Sequence, residues 1–106
     1  MHVPSHCDLE VLAFLRNSIH RLDLEPGRAT DALSDYVALP LTRHGHNEFL
    51  QRIFELRDNF SPYDAVYVAL AEGLDATLVT CDLRLTRAAR QLTDLNVVGV
   101  GAQPGQ

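Results

Sequence analysis

The sequence has little of what usually fixes compartment or chemistry at a glance. Its 106 residues include two cysteines, Cys7 and Cys81, far apart and in no metal-type spacing. That excludes a disulfide framework or a thiolate zinc centre as the organising principle. Both read as reduced thiols, small buried hydrophobes in a cytoplasmic protein. No apolar run approaches the roughly 20 residues that span a bilayer, so no membrane partner is expected. The opening Met1-His2-Val3-Pro4 lacks a signal-type apolar core. Basic charge is also scarce: nine Lys and Arg face fourteen Asp and Glu, a formal net charge of −5. A broadly cationic nucleic-acid surface is therefore not expected, although bound cations can offset a local acidic cluster. Repeats and low-complexity tracts are absent. The length suits one domain, and 46% hydrophobic with 22% charged residues is ordinary globular composition.

What is present is an alternation of helical and strand patterns. Leu9, Leu12, Leu15 and Ile19 recur at helical spacing. Pro26-Gly27 separates them from a second helical stretch over residues 28–37, with Ala29, Ala32, Leu33 and Tyr36 on one side. Residues 39–42 read as a short strand that Pro40 confines to an edge. A helix over residues 47–57 turns Phe49, Leu50, Ile53, Phe54 and Leu56 inward. Another spans residues 62–72 and stops at Gly73. A buried strand over residues 77–81, a helix from Leu83 through Leu92 and a strand over residues 96–100 complete the pattern. The expected fold class is α/β with a small parallel sheet. One domain covers residues 1–100, with a frayed tail over residues 101–106.

Three acids fall where such folds collect ligands, at strand carboxyl ends and helix starts. They are Glu10, Asp64 in Ser61-Pro62-Tyr63-Asp64-Ala65, and Asp82 in Leu78-Val79-Thr80-Cys81-Asp82-Leu83-Arg84. Each has a plain structural explanation. Ser61 with Asp64 forms an S-x-x-D start behind Pro62, and Ser5 with Asp8 forms another. Asp82 suits an N-cap, and Glu10 complements a helix dipole. Converging, however, the three carboxylates would make a divalent-metal site. Two unit charges about 4 Å apart repel by roughly 4 kcal/mol at an effective dielectric near 20, so a cation between them stabilises the ionised set.

The motifs Asp8-x-Glu10-Val11-Leu12-x-x-Leu15-Arg16, Pro40-Leu41-Thr42-Arg43-His44, Tyr63-Asp64-Ala65-x-Tyr67-Val68-Ala69-Leu70-Ala71 and Leu78-Val79-Thr80-x-Asp82-x-Arg84-Leu85 occur in that order. Together they resemble the PIN domain, and within it the VapC-type toxins of bacterial toxin–antitoxin pairs. The resemblance implies a three-layer α/β/α fold and a Mg²⁺- or Mn²⁺-dependent ribonuclease that leaves a 5′-phosphate and a 3′-hydroxyl. It places Glu10, Asp64 and Asp82 on three of the family's four acidic metal positions and Thr80 on a supporting hydroxyl position. It also implies homodimerisation and inhibition by a VapB-type antitoxin that sends a basic side chain towards the acids. One departure stands out: the family's N-terminal strand, ending in Asp-x-Ser/Thr, is missing ahead of Val3. The recorded start is therefore expected to lie inside a longer reading frame. The alternative is a degenerate, non-catalytic relative that binds an antitoxin or a paired subunit.

Asp64 and Asp82 are the expected metal ligands, direct or through water, with Glu10 positioning a metal-bound water. Thr80 either supports a carboxylate or is simply a β-branched strand residue. Arg43, Arg52, Arg57, Arg84, Arg87 and Arg90 are candidates for RNA phosphates, against the ordinary reading of solvated helix arginines. Tyr36, Tyr63 and Tyr67 are stacking candidates, with Tyr67 expected in the core or at a dimer interface. His44-Gly45-His46 looks like a metal pair but lacks a third ligand at suitable spacing, so it reads as solvated or capping histidines.

Overall fold

A computed structural model describes residues 1–100; the tail expected at 101–106 lies outside the described residues. In chain order the elements are β1 (His2–Pro4), α1 (Cys7–Arg21), α2 (Pro26–Ala38), β2 (Thr42–His44), a 3₁₀ turn (Asn47–Phe49), α3 (Leu50–Glu55), α4 (Pro62–Leu74), β3 (Leu78–Thr80), α5 (Leu83–Leu92) and β4 (Val97–Gly99). The described residues form an α/β fold of five helices with small parallel sheets. No described helix is long and apolar enough to cross a membrane. The chain divides into two compact units, Met1–His44 and a second that begins at Gly45.

In the first unit β1 pairs in parallel with β2, Val3 opposite Arg43, across a connection of two helices that pack on each other. The sequence pattern did not expose β1, a three-residue strand ending in a buried Pro4. β2 begins at Thr42, later than expected. Pro40 has no N–H for a ladder, and pairing starts where the Thr42 amide donates to the Met1 carbonyl at 2.8 Å. α2 begins at Pro26 rather than at residue 28, because a proline's fixed φ and missing N–H suit the first helical position. The inward face of α1 is also rotated from expectation. Leu9 and Leu12 are exposed, whereas Ser18 is buried, its hydroxyl donating to the Phe14 carbonyl at 2.8 Å. Ser5 does not cap α1. His6 occupies the cap position without a side-chain bond.

In the second unit β3 and β4 pair in parallel, Leu78 with Val97 and Thr80 with Gly99. α4 and α5 pack on β3, and the core joins Leu56, Phe60, Ala65, Val68, Ala71, Leu78, Leu85, Ala89 and Val97. Half-buried Tyr67 packs against that core. The expected doubly buried strand is covered on one face only: Leu78 and Val97 are buried, while their neighbours Val79 and Val98 are 59% and 45% exposed. Leu50 and Phe54, expected inward, are exposed, because α3 is short and follows a 3₁₀ turn that resets its phase.

α4 runs past Gly73 rather than stopping there, and Asp75 takes the left-handed cap position at φ 50°. Gly73 serves a different purpose. A Cβ built on it would stand 2.6 Å from Phe49 Cε1, so the bare backbone is the seat of that ring. Alanine inside a helix normally gains about 0.5–1 kcal/mol over glycine. Here Gly73→Ala is expected to destabilise by about 1–2 kcal/mol through overpacking, with much of the loss recovered by Gly73→Ala/Phe49→Leu. Urea denaturation checks this, and a stabilised single variant would contradict it.

Candidate functional site

Two of the three nominated acids, Asp64 and Asp82, belong to the second unit. α4 carries Asp64 in its first turn, behind Ser61, whose Oγ accepts from the Asp64 amide at 3.2 Å. The helix enters β3 through a reversal at residues 75–77, so α4 and β3 run in opposite directions and pack. At about 1.5 Å per residue Asp64 stands about 15 Å along the helix from Leu74. β3 covers only Leu78–Thr80, and Asp82 follows in the turn into α5. Asp64 thus sits in the first turn of α4, and Asp82 sits two residues past the carboxyl end of β3, at the cap of α5.

The turn carrying Asp82 is built by its own side chains. Asp82 Oδ1 accepts from the amides of Arg84 at 2.9 Å and Leu85 at 3.2 Å, capping α5. Thr80 Oγ1 accepts from the Asp82 amide at 3.0 Å. Thr80 thus orders the turn through the backbone. Both cap bonds fall on Oδ1, while Oδ2 accepts none among the described residues and is the oxygen that would meet a cation. Cys81, expected to be buried, is exposed because it sits in this turn.

Glu10 belongs to the first unit, in the first turn of α1, where Oε1 lies 3.4 Å from His6 Nε2. Beside it is a network that sequence reading missed by treating Asp8 as part of a helix start. Arg43 Nε donates to both Asp8 oxygens, at 3.0 and 2.8 Å, and the Tyr36 hydroxyl donates to Oδ1 at 2.6 Å. These bonds tie α1, α2 and β2 together. The Arg43 hydrogen bond, then that of Tyr36, holds the Asp8 carboxyl below its usual value. Burial, then the bond to Asp8, raises the Tyr36 phenol, which also donates to Cys7 Sγ at 3.6 Å.

Most of the nominated arginines already have structural partners. Arg43 holds Asp8; Arg52 holds Glu72 and Glu55; Arg57 donates to the Phe54 carbonyl and lies over its ring; and Arg90 donates to the Val97 carbonyl. Arg84 and Arg87 are exposed and make no side-chain bond among the described residues, and Arg84 adjoins the Asp82 cap. A polar cleft lined by Arg52, Glu72, Asp75, Thr93 and Asp94 lies at the other end of α4, a helix length from Asp64, and Arg52 and Glu72 there are spent on each other.

Carboxylate oxygens suit a hard cation such as Mg²⁺ or Mn²⁺. Among the described residues no three His, Cys, Asp or Glu side chains are already grouped around a cation position.

A family model described as PIN domain matches residues 1–91. The chain belongs to the PIN domain family. Similar proteins include Ribonuclease VapC9 of Mycobacterium tuberculosis (strain ATCC 25618 / H37Rv), 40% identical over 98 residues that make up 92% of this chain and 77% of the relative. Ribonuclease VapC12 of the same strain is 33% identical over 98 residues, 92% of this chain and 76% of the relative. VapC ribonuclease Mb0985 of Mycobacterium bovis (strain ATCC BAA-935 / AF2122/97) is 40% identical over the same shares as the first. The PIN match spans Glu10, Asp64, Thr80, Asp82 and Arg84.

Two outcomes follow from this PIN domain's hydrogen bonds. Asp82→Ala removes the cap of α5 and is expected to cost about 1 kcal/mol, up to about 2, whereas Asp82→Asn keeps an accepting oxygen and stays within about 0.5 kcal/mol of the parent; equal losses in urea melts would show that the cap is not what Asp82 contributes. Asp8 has a folded-state pKa below the unfolded value of 3.8. Its stabilisation is therefore complete above that value and lost as pH falls through the lower folded one. The stability gap between the parent and Asp8→Asn is expected to hold steady from about pH 7 to 5 and to shrink in acid below the unfolded value. A gap constant down to about pH 2 would contradict the network.

Proposed function

We propose that this PIN domain is a Mg²⁺- or Mn²⁺-dependent endoribonuclease, the toxin component of a type II toxin–antitoxin pair acting in the cytoplasm. What carries the reading is the PIN match over residues 1–91, together with relatives named as VapC ribonucleases that align with 92% of the chain. The α4–β3–α5 order is consistent with it, with Asp64 in the first turn of α4 and Asp82 capping α5 just past β3. In this reading Asp64 and Asp82 are metal-binding carboxylates and Glu10 is the third acid of the catalytic set. When bound, the cation supplies charge neutralisation at the phosphodiester and a more acidic water. The chain's own contribution is positional. Thr80 fixes the turn, Asp82 holds the helix with one oxygen and offers the other, and Arg84 with Arg87 attracts backbone phosphates. An acidic centre flanked by two unengaged guanidiniums fits an RNA strand on a chain of net charge −5.

The resemblance assigns further partners: a second copy of the chain and a VapB-type antitoxin whose basic side chain reaches the acids. Exposed apolar residues support both, namely Leu9 and Phe14 on α1 and Leu50 and Phe54 on α3. A cationic side chain relieves the same carboxylate repulsion as the metal, so inhibitor and Mn²⁺ are expected to compete.

Cleavage of a fluorescent single-stranded RNA tests the proposal. Activity is expected in Mg²⁺ or Mn²⁺, lost in EDTA and restored by excess cation. Asp64→Asn and Asp82→Asn are each expected to lower it by about 100-fold or more while the proteins remain folded. Arg84→Gln/Arg87→Gln is expected to weaken RNA binding and flatten its salt dependence. A folded chain that captures a basic-tipped peptide but cuts no RNA would instead be a non-catalytic PIN-like binding module.

A further inference from the structure

The strand pairing of the first unit creates a histidine pair that neither the family reading nor the acids use. β1 and β2 run parallel with His2 opposite Thr42 and Pro4 opposite His44. Strand alternation places all four on one face, so His2 and His44 are diagonal neighbours. Their rings meet: His2 Nδ1 lies 2.8 Å from His44 Nε2, with centroids 5.0 Å apart and planes inclined at 41°. His2 is exposed and His44 half-buried, so solvent reaches the pair.

We infer that His2 and His44 form a two-imidazole site for a borderline divalent transition metal, Cu²⁺ first, then Ni²⁺ or Zn²⁺. A hydrogen bond between two accessible imidazoles gains little over the bonds each ring makes with water. A cation between them meets two lone pairs at once, and imidazole nitrogens favour these ions over Mg²⁺, with Cu²⁺ the strongest binder. At metal–nitrogen distances of about 2.0–2.1 Å, two cis ligands stand about 2.9–3.4 Å apart, with ring centroids separated by about 4.5–5.2 Å. The observed centroid separation already lies in that range, and the nitrogens need a few tenths of an ångström. Ring rotation supplies this without moving either strand. The ring that donates in the hydrogen bond transfers its proton through solvent to its other nitrogen, and the freed lone pair takes the metal, so no net proton is released. Water completes the coordination. Because the ligands come from different strands, a bound ion clamps β1 to β2.

Titration of the 106-residue chain with CuCl₂, followed by calorimetry and electron paramagnetic resonance, tests the site. One Cu²⁺ per chain with nitrogen hyperfine structure from two imidazoles is expected. Affinity should fall at least tenfold in both His2→Asn and His44→Asn, and copper should raise the melting temperature of the parent alone. His44→Gln, checked by circular dichroism, serves if His44→Asn folds poorly. Unchanged affinity in a folded His44 variant overturns the inference. Loss confined to His2→Asn assigns the copper to an amino-terminal Met1–His2 chelate, and greater loss in His46→Asn assigns it to the local His44-Gly45-His46 segment; either result overturns it. Mg²⁺-dependent RNA cleavage is an independent readout, so failure here leaves the ribonuclease reading untouched.

Discussion

The Oδ1 atom of Asp82 receives two amide hydrogens at the start of α5, and much of the second unit is arranged downstream of those bonds. With the first turn held, Leu85 and Ala89 point into the core, and Arg90 reaches back to the Val97 carbonyl, tying α5 to β4. Thr86, on the same helix, lies where a Cβ on Gly99 would stand 3.2 Å from it, so helix and strand approach closely at the end of the pair. A cap contributes on the order of 1 kcal/mol. In a protein of marginal stability, one residue anchoring helix, strand and candidate metal ligand is a tight constraint on what can stand at position 82.

The arginines show how structure narrows a sequence-level list. Six were chemically equivalent candidates for phosphate. Four have carboxylate or carbonyl partners, and Arg57 lies 4.3 Å from the centre of a phenylalanine ring. An exposed ion pair contributes little to stability, but it directs a guanidinium towards one partner. The residual cationic pair, Arg84 and Arg87, shares a helix with the carboxylate it would assist.

Much of this was legible beforehand because local chemistry announced it. Ser61-Pro62 at the start of α4, Asp82 as a cap, and the span of α5 all rest on contacts within a few residues, which sequence displays directly. The failures have long-range causes. β1 is three residues long and exists through a partner beyond two helices, so no periodicity could reveal it. Gly73 looked like a stop because its reason for being glycine, the Phe49 ring, lies on another element. Leu9 and Leu12 looked inward because apolar spacing fixes a stripe but not its rotation, and Ser18 replaces an apolar residue by satisfying its hydroxyl within the helix. His2 and His44 were separately unremarkable, and register alone made them neighbours. Of the candidate site, Asp64, Thr80 and Asp82 were readable as a local αβ unit, whereas the Asp8–Arg43–Tyr36 ties to β2 and α2 required the fold.

The two parallel pairs also differ in how long the chain must wait to make them. β3 finds β4 after one helix, whereas β1 finds β2 after two. The entropy of closing a loop rises by only about 0.6 kcal/mol per doubling of its length, so the final stability of the pairs is little affected. The order of events is affected more, since more distant pairings form later. As the chain leaves the ribosome, β1 emerges ahead of β2 and cannot pair with it until both intervening helices have followed. Throughout that interval its amides are satisfied by water, and its three residues are the part of the first unit open longest to a wrong partner.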